Sequence, residues 1–284
     1  MLGIPMRYLL RHPLTGIADL AADPVEIWTG IRESYAERLT ERKPQCPYEP
    51  DLNWEQRLHE ALDVRWPCDD APEFLGLWQQ IMSELEAKGI RAGPESFQWW
   101  NDGDAAFVRA IWCLVLHLRP KRVVETGVAH GVTSRFILEA LKRNGDGHLW
   151  SIDLPPLERF WRQQVGIAVG GGHSDRWTYI KGSSRRHLAR LLRDLGHVDL
   201  FIHDSLHSER NVRFELDRAW PTLGPKSAVV VDDIDANWAF RLFGQTIPDQ
   251  VSFICEAEPL RPDLRRFNEK GLFGIILKEH KAKV

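Results

Sequence analysis

Three acids stand where two apolar runs end. Asp204 closes LFIHD, and Asp232 and Asp233 close VVVDD, 28 and 29 residues further on. Carboxylates ending buried strands are costly unless they face solvent, a cation or hydrogen-bond donors. Three that converge repel one another, and a hard divalent ion would relieve them. Asp204, Asp232 and Asp233 are therefore candidate metal ligands, with Asp235 as a further candidate. In a plainer reading, Asp204 caps the helix starting near Ser208 and Asp232 binds a backbone amide. His203 and His207 flank the same point. An imidazole titrates near neutral pH and suits removal of a proton from a hydroxyl. His203 adjoins Asp204 on a strand, so it should point the other way, into the core. His207, with Asp204, is the candidate catalytic pair; a surface or capping role for His207 is the alternative.

A second group lies earlier, in Glu125-Thr-Gly-Val-Ala-His-Gly131, with Asp153 ending the next strand, LWSID. A strand, a glycine turn, a helix and a second strand ending on an acid form a unit that binds a nucleoside-containing cofactor. A nicotinamide site prefers G-x-G-x-x-G, whose middle glycine admits a pyrophosphate. Only Gly127 and Gly131 are present here, and Glu125 would repel a pyrophosphate. Beside the ammonium of a methionine moiety the same carboxylate would be attracted. The bland alternative is that both glycines serve a tight turn only. His130, inside the turn, is expected to bond locally rather than to catalyse.

Around these residues, strands alternate with helices. Strand VVET leads to helix VTSRFILEALKR, closed by Asn144–Gly145. Strand LWSID precedes an irregular segment, and strand WTYIK runs through Gly182 and Ser183 into RRHLARLLRDLG. Strands VDLFIHD and AVVVDD follow, each with a helix after it, and VSFICEAE and LFGIILKE close the chain. The pattern predicts an α/β, Rossmann-like, doubly wound seven-stranded sheet, mostly parallel, with an antiparallel C-terminal strand. Continuous apolar runs such as AVVV suit interior strands. Ahead of the sheet, helices are predicted after Asp23, from Asn53 to Leu62, from Asp70 to Gly89 and from Asp104 to Leu118. Residues 1–100 are thus read as a helical N-terminal extension that covers the sheet, lids a substrate pocket or makes homo-oligomer contacts. Residues 101–284 form the cofactor-binding domain.

At this point the chain resembles the class I S-adenosylmethionine-dependent methyltransferases, whose first motif has the form E-x-G-x-x-x-G. Within them it is most similar to the macrocin and catechol-type O-methyltransferases. The resemblance spans roughly residues 100–284. It implies that Glu125, Gly127 and Gly131 face the cofactor's amino-acid part and that Asp153 binds its ribose. It also implies that Gly182 and Ser183 lie against the adenine, with a helix N-cap as the competing role for Ser183. In catechol-type enzymes an Asp and an Asp–Asn pair at similar positions bind Mg2+; here Asp233 replaces the Asn. His207 stands where those enzymes place a lysine base. The expected reaction is divalent-metal-assisted O-methylation of a hydroxyl on a small molecule or sugar. The alternatives are a metal-independent N- or O-methyltransferase, a nicotinamide-dependent oxidoreductase, or a catalytically silent cofactor-binding protein.

The 284-residue composition, 43% hydrophobic and 27% charged, fits a globular protein with a full core. A net charge of -3 makes no electrostatic case for nucleic-acid binding. Neither a signal peptide nor a run of transmembrane length is evident, and no membrane partner is expected. Cys46, Cys68, Cys113 and Cys255 are scattered without a C-x-x-C pair, which points to reduced thiols and a cytoplasmic location. Cys113, in AIWCLVLHL, reads as a buried thiol. Trp99, Trp100, Trp161 and Trp238 could stack on a ring, although tryptophans more often build cores.

Overall fold

In the computed structural model, residues 24–26, 28, 29, 31, 32, 35, 48–90, 104–155, 159–173, 175–258 and 271–278 are described. Asp23, Cys46, Trp99 and Trp100 lie outside them. Among the described residues, seven strands form one sheet: β1 Arg122–Thr126, β2 His148–Asp153, β3 Trp177–Lys181, β4 Val198–His203, β5 Leu223–Val231, β6 Val251–Glu256 and β7 Leu272–Lys278. Their order across the sheet is β3-β2-β1-β4-β5-β7-β6. The first five run parallel, while β7 inserts antiparallel between β5 and β6. This is the predicted α/β architecture.

Period-two alternation sorts the strand residues onto two faces. Val123, Leu200, Ile202, Ala228 and Val230 enter one core, and Val124, Phe201, Val229 and Val231 enter the other. The first face is covered by α3 (Ala105–Leu118) and α4 (Val132–Asn144), with α1 (Trp54–Ala61) and α2 (Ala71–Ala87) packed into the same cluster. Here Phe74 and Trp112 both lie against Phe136 of α4. The second face is covered by α6 (Ser184–Leu195), α7 (Glu209–Ala219) and α8 (Ala239–Gln245); a single turn, α5, spans Arg159–Arg162. Each fully buried Leu, Ile or Phe contributes about 1.5–3 kcal/mol by leaving water. Among the described residues, no helix is long and apolar enough to cross a membrane.

The caps follow the predicted positions with varying chemistry. Asp104 caps α3 by accepting from Ala106 N at 2.8 Å, and the same oxygen accepts from Glu258 N at 2.7 Å. Gly145 closes α4 in the left-handed region, and Ser208 caps α7 through Asn211 N. Asn53, Asp70 and Ser183 occupy N-cap positions without a side-chain capping bond.

Candidate active site

The β1–α4 turn is built by close approach. Gly127 has φ +90, and a Cβ there would lie 1.8 Å from the Asp204 carbonyl oxygen. The turn therefore presses directly against the loop that follows β4, and Asp204 N donates to Thr126 O at 2.9 Å. Gly131, φ +81, is the N-cap of α4 and has no side chain with which to cap the first-turn amides.

Glu125 is buried on the α4 side of the sheet. One carboxylate oxygen, Oε2, accepts from Ser134 at 2.6 Å and Ser151 at 2.7 Å. The other, Oε1, is buried with no hydrogen-bond partner among the described residues. Burial pushes this carboxyl up to about 7; the two serines oppose the shift, and the charge of Asp153 adds to it. An ammonium brought to Oε1 would satisfy the orphaned oxygen, so the turn fits an amino-acid-bearing cofactor.

Asp153, half-buried at the end of β2, accepts from Val128 N at 3.1 Å and from Tyr179 OH at 3.5 Å. Burial raises it to about 6 against these bonds. The backbone continues the wall: Gly182 N donates to Asp153 O at 2.8 Å. Ser183 N donates to Glu26 Oε1 at 3.0 Å, which brings a buried acid from the N-terminal region to this edge. The Ser183 hydroxyl is buried with no hydrogen-bond partner among the described residues, and it does not cap α6. An open cleft of about 320 Å³ lies alongside, lined by Pro155, Arg162, Val165, Trp177, Tyr179 and Lys181.

At the carboxyl ends of β4 and β5, ligand atoms of Asp204, His207 and Asp232 lie within 4.8 Å of one another. Burial, followed by neighbouring carboxylate charge, pushes both Asp204 and Asp232 well above the usual range. Asp233, held at a left-handed φ of +48, places Oδ2 3.7 Å from His207 Nε2 and stands outside that three-residue cluster. Burial lowers the His207 imidazole, against the pull of Asp233. Asp204 does not cap α7, whose cap is Ser208. Asp235 is engaged in the fold, accepting from Leu272 N at 3.0 Å. His203 is fully buried, as its register predicts, donates to Glu215 Oε2 at 2.6 Å, and lies edge-on to the His207 ring with 5.5 Å between centroids. His130 bonds to Gln164, 34 residues further along the chain, rather than within its own turn.

Sequence reasoning missed Glu215 and Asn237. Glu215 also accepts from Thr126 on β1, from Ser205 and from Asn211, so one buried carboxylate ties β1, the Asp204 loop and α7 together. Val212, Leu216 and Ala219 form a helical stripe that places residue 215 on the inner face, a signal present in the sequence. Asn237 donates to His207 O at 3.1 Å and anchors the His207 loop from the β5 side.

Residues 124–234 match the profile of a family described as "Methyltransferase domain". The matched segment, less than half of the chain, resembles a methyltransferase domain and runs from β1 to the turn after β5. Solved O-methyltransferases share its fold. One, from Bacillus cereus in complex with SAH, aligns with a TM-score of 0.53 over 78% of this chain and 96% of its own, at 12% identity. Another, TomG from Streptomyces achromogenes, involved in tomaymycin synthesis and solved with SAM, gives 0.51 over 79% and 96%, at 13% identity. At such identities the likeness is one of fold. A further 112-residue match, 28% identical and covering 39% of this chain, is to the thermostable DNA polymerase I of Thermus aquaticus. The chain spans 12% of that relative's length, so none of that protein's activity is carried over to this chain.

Proposed function

We propose that the chain is an S-adenosylmethionine-dependent O-methyltransferase acting on a hydroxyl of a small molecule or sugar, with His207 as base and a divalent cation beside it. The observation that carries this reading is the packing of the Gly127 turn against the Asp204 loop, which puts the glycine turn next to the cluster of Asp204, His207 and Asp232. The solved relatives named above, one described with SAM and one with SAH, support the choice of donor.

S-Adenosylmethionine would supply an activated methyl group on its sulfonium. Glu125 would hold its ammonium, the Gly127 turn its amino-acid part, and Asp153 its ribose. Gly182 and Ser183 would lie against the adenine. Asp204 and Asp232, with Asp233 adjacent, would hold the cation, Mg2+ by resemblance. That ion would stabilise the acceptor oxygen as it loses its proton. His207 Nε2 accepts that proton while the oxygen takes the methyl group. Proximity and orientation of the two substrates supply the largest share of the rate gain.

A second reading has an observation of its own. The cluster of two carboxylates and an imidazole would make His207 a ligand rather than a base, and such a mixed set suits a transition metal better than Mg2+. Methyl transfer from labelled donor, followed with metal content in wild type and His207→Ala, separates the two. Retained metal with kcat lowered roughly 10²–10⁴-fold supports the base. Lost metal supports the ligand. Activity unchanged by chelator and by His207→Ala would overturn both. Absence of heat on titration with S-adenosylmethionine would overturn the donor assignment itself.

A further inference from the structure

Far from the acids, the fold gathers four potential metal ligands scattered along the sequence. His59 lies on α1, Cys68 on the loop between α1 and α2, and Cys113 and His117 one turn apart on α3. Their ligand atoms all lie within 4.8 Å of one another, with His59, Cys68 and Cys113 buried and His117 half-buried. The C-terminal end of α3 leads directly into the start of β1. The group therefore sits at the amino ends of the parallel strands, opposite the cofactor turn.

The individual contacts favour ligation over chance packing. The ring nitrogen Nδ1 of His59 is 2.7 Å from the Glu55 carbonyl oxygen, which can only accept, so Nδ1 carries the proton and Nε2 presents a lone pair. That Nε2 is buried, on a residue 1% exposed, with no hydrogen-bond partner among the described residues. A histidine fixed by a backbone carbonyl through one nitrogen is the usual arrangement of a metal ligand that binds through the other. Cys68 Sγ lies 3.4 Å from His117 Nε2. Tetrahedral zinc with two sulfurs and two nitrogens separates its ligand atoms by roughly 3.3–3.8 Å, from bond lengths near 2.3 and 2.0 Å. Two thiolates and two neutral imidazoles also balance a divalent charge, which suits a buried position.

We propose that His59, Cys68, Cys113 and His117 form a Cys2His2 site for Zn2+ that staples α1 and the loop before α2 to α3. On binding, both thiols release their protons to solvent and the four protein ligands fill the tetrahedron. No position is left for water, so the site is structural rather than catalytic. It owes nothing to the methyl-transfer assignment, and the two readings fail independently.

The test uses the full chain purified in reductant without chelator. Elemental mass spectrometry should find one zinc per chain. Replacement by Co2+ should give the thiolate-to-cobalt charge-transfer band and the intense visible absorption of a tetrahedral site. Asp204→Asn should leave that spectrum unchanged. His117→Asn, at the least buried ligand, should weaken metal retention at least tenfold while far-ultraviolet dichroism stays native. Metal at about a hundred times its dissociation constant should raise the melting temperature of the stripped protein by roughly 5–10 °C. Reduced, folded wild type that holds no zinc and gives no cobalt–thiolate band would overturn the proposal. So would the same cobalt band persisting in Cys113→Ser.

Discussion

Glu125 shows how one buried atom sets a pH dependence. Its carboxyl stands near 7 because burial outweighs the bonds from Ser134 and Ser151. A cationic ammonium selects the ionised form, so donor binding should release a proton around neutral pH. Acidification from about pH 7.5 to about 5.5 should weaken affinity, approaching tenfold per pH unit once below the carboxyl's value. Glu125→Gln should bind more weakly and lose this slope. Calorimetric titrations across that range measure both, and an equally steep acid dependence in the variant would exclude Glu125 as its source.

At the scale of an element, the β1–α4 turn separates two kinds of glycine. Gly145 ends α4 at φ +79, and a Cβ there would meet nothing within 4 Å, whereas one on Gly127 would meet the Asp204 carbonyl at 1.8 Å. Gly145→Ala should cost only the left-handed backbone, about 1–2 kcal/mol. Gly127→Ala adds a clash with main chain that cannot rotate away, and roughly 2–5 kcal/mol is expected. It should also displace the Asp204 loop, so donor binding falls together with stability. Urea unfolding of the two variants gives the comparison; equal losses would mean that the turn does not brace the loop.

Across the whole molecule, Glu215 joins β1, β4 and α7. Burial alone would raise its carboxyl, but the His203 charge and the bonds it accepts outweigh burial and hold it below the ordinary range. A depressed acid contributes stability that is complete above its unfolded value, near 4.5, and is lost as pH falls towards the folded one. Wild-type stability should therefore drop steeply below pH 4.5. Glu215→Gln should be about 3 kcal/mol less stable at neutral pH, because it breaks a buried pair, and should show a flatter acid decline. Denaturant midpoints between about pH 3 and pH 7 check this, and parallel curves would remove Glu215 as the cause.

Much of this was legible in the residues. Alternating apolar strands and capped helices determined the sheet, and the spacing of Gly127 and Gly131 after a strand determined a tight turn into a helix, since both rest on local periodicity and backbone geometry. The alternation along β4 already placed His203 inward. Tertiary structure alone decided which distant side chains meet. It exchanged Asp233 for His207 in the cluster with Asp204 and Asp232, left the Ser183 hydroxyl unused as a cap, and brought Glu26 to the Ser183 amide. It also set Cys113, read as a buried thiol, beside His59, Cys68 and His117. Sequence spacing carries side-chain direction along one element, but meetings between elements depend on how their faces pack, and that is written only in the folded chain.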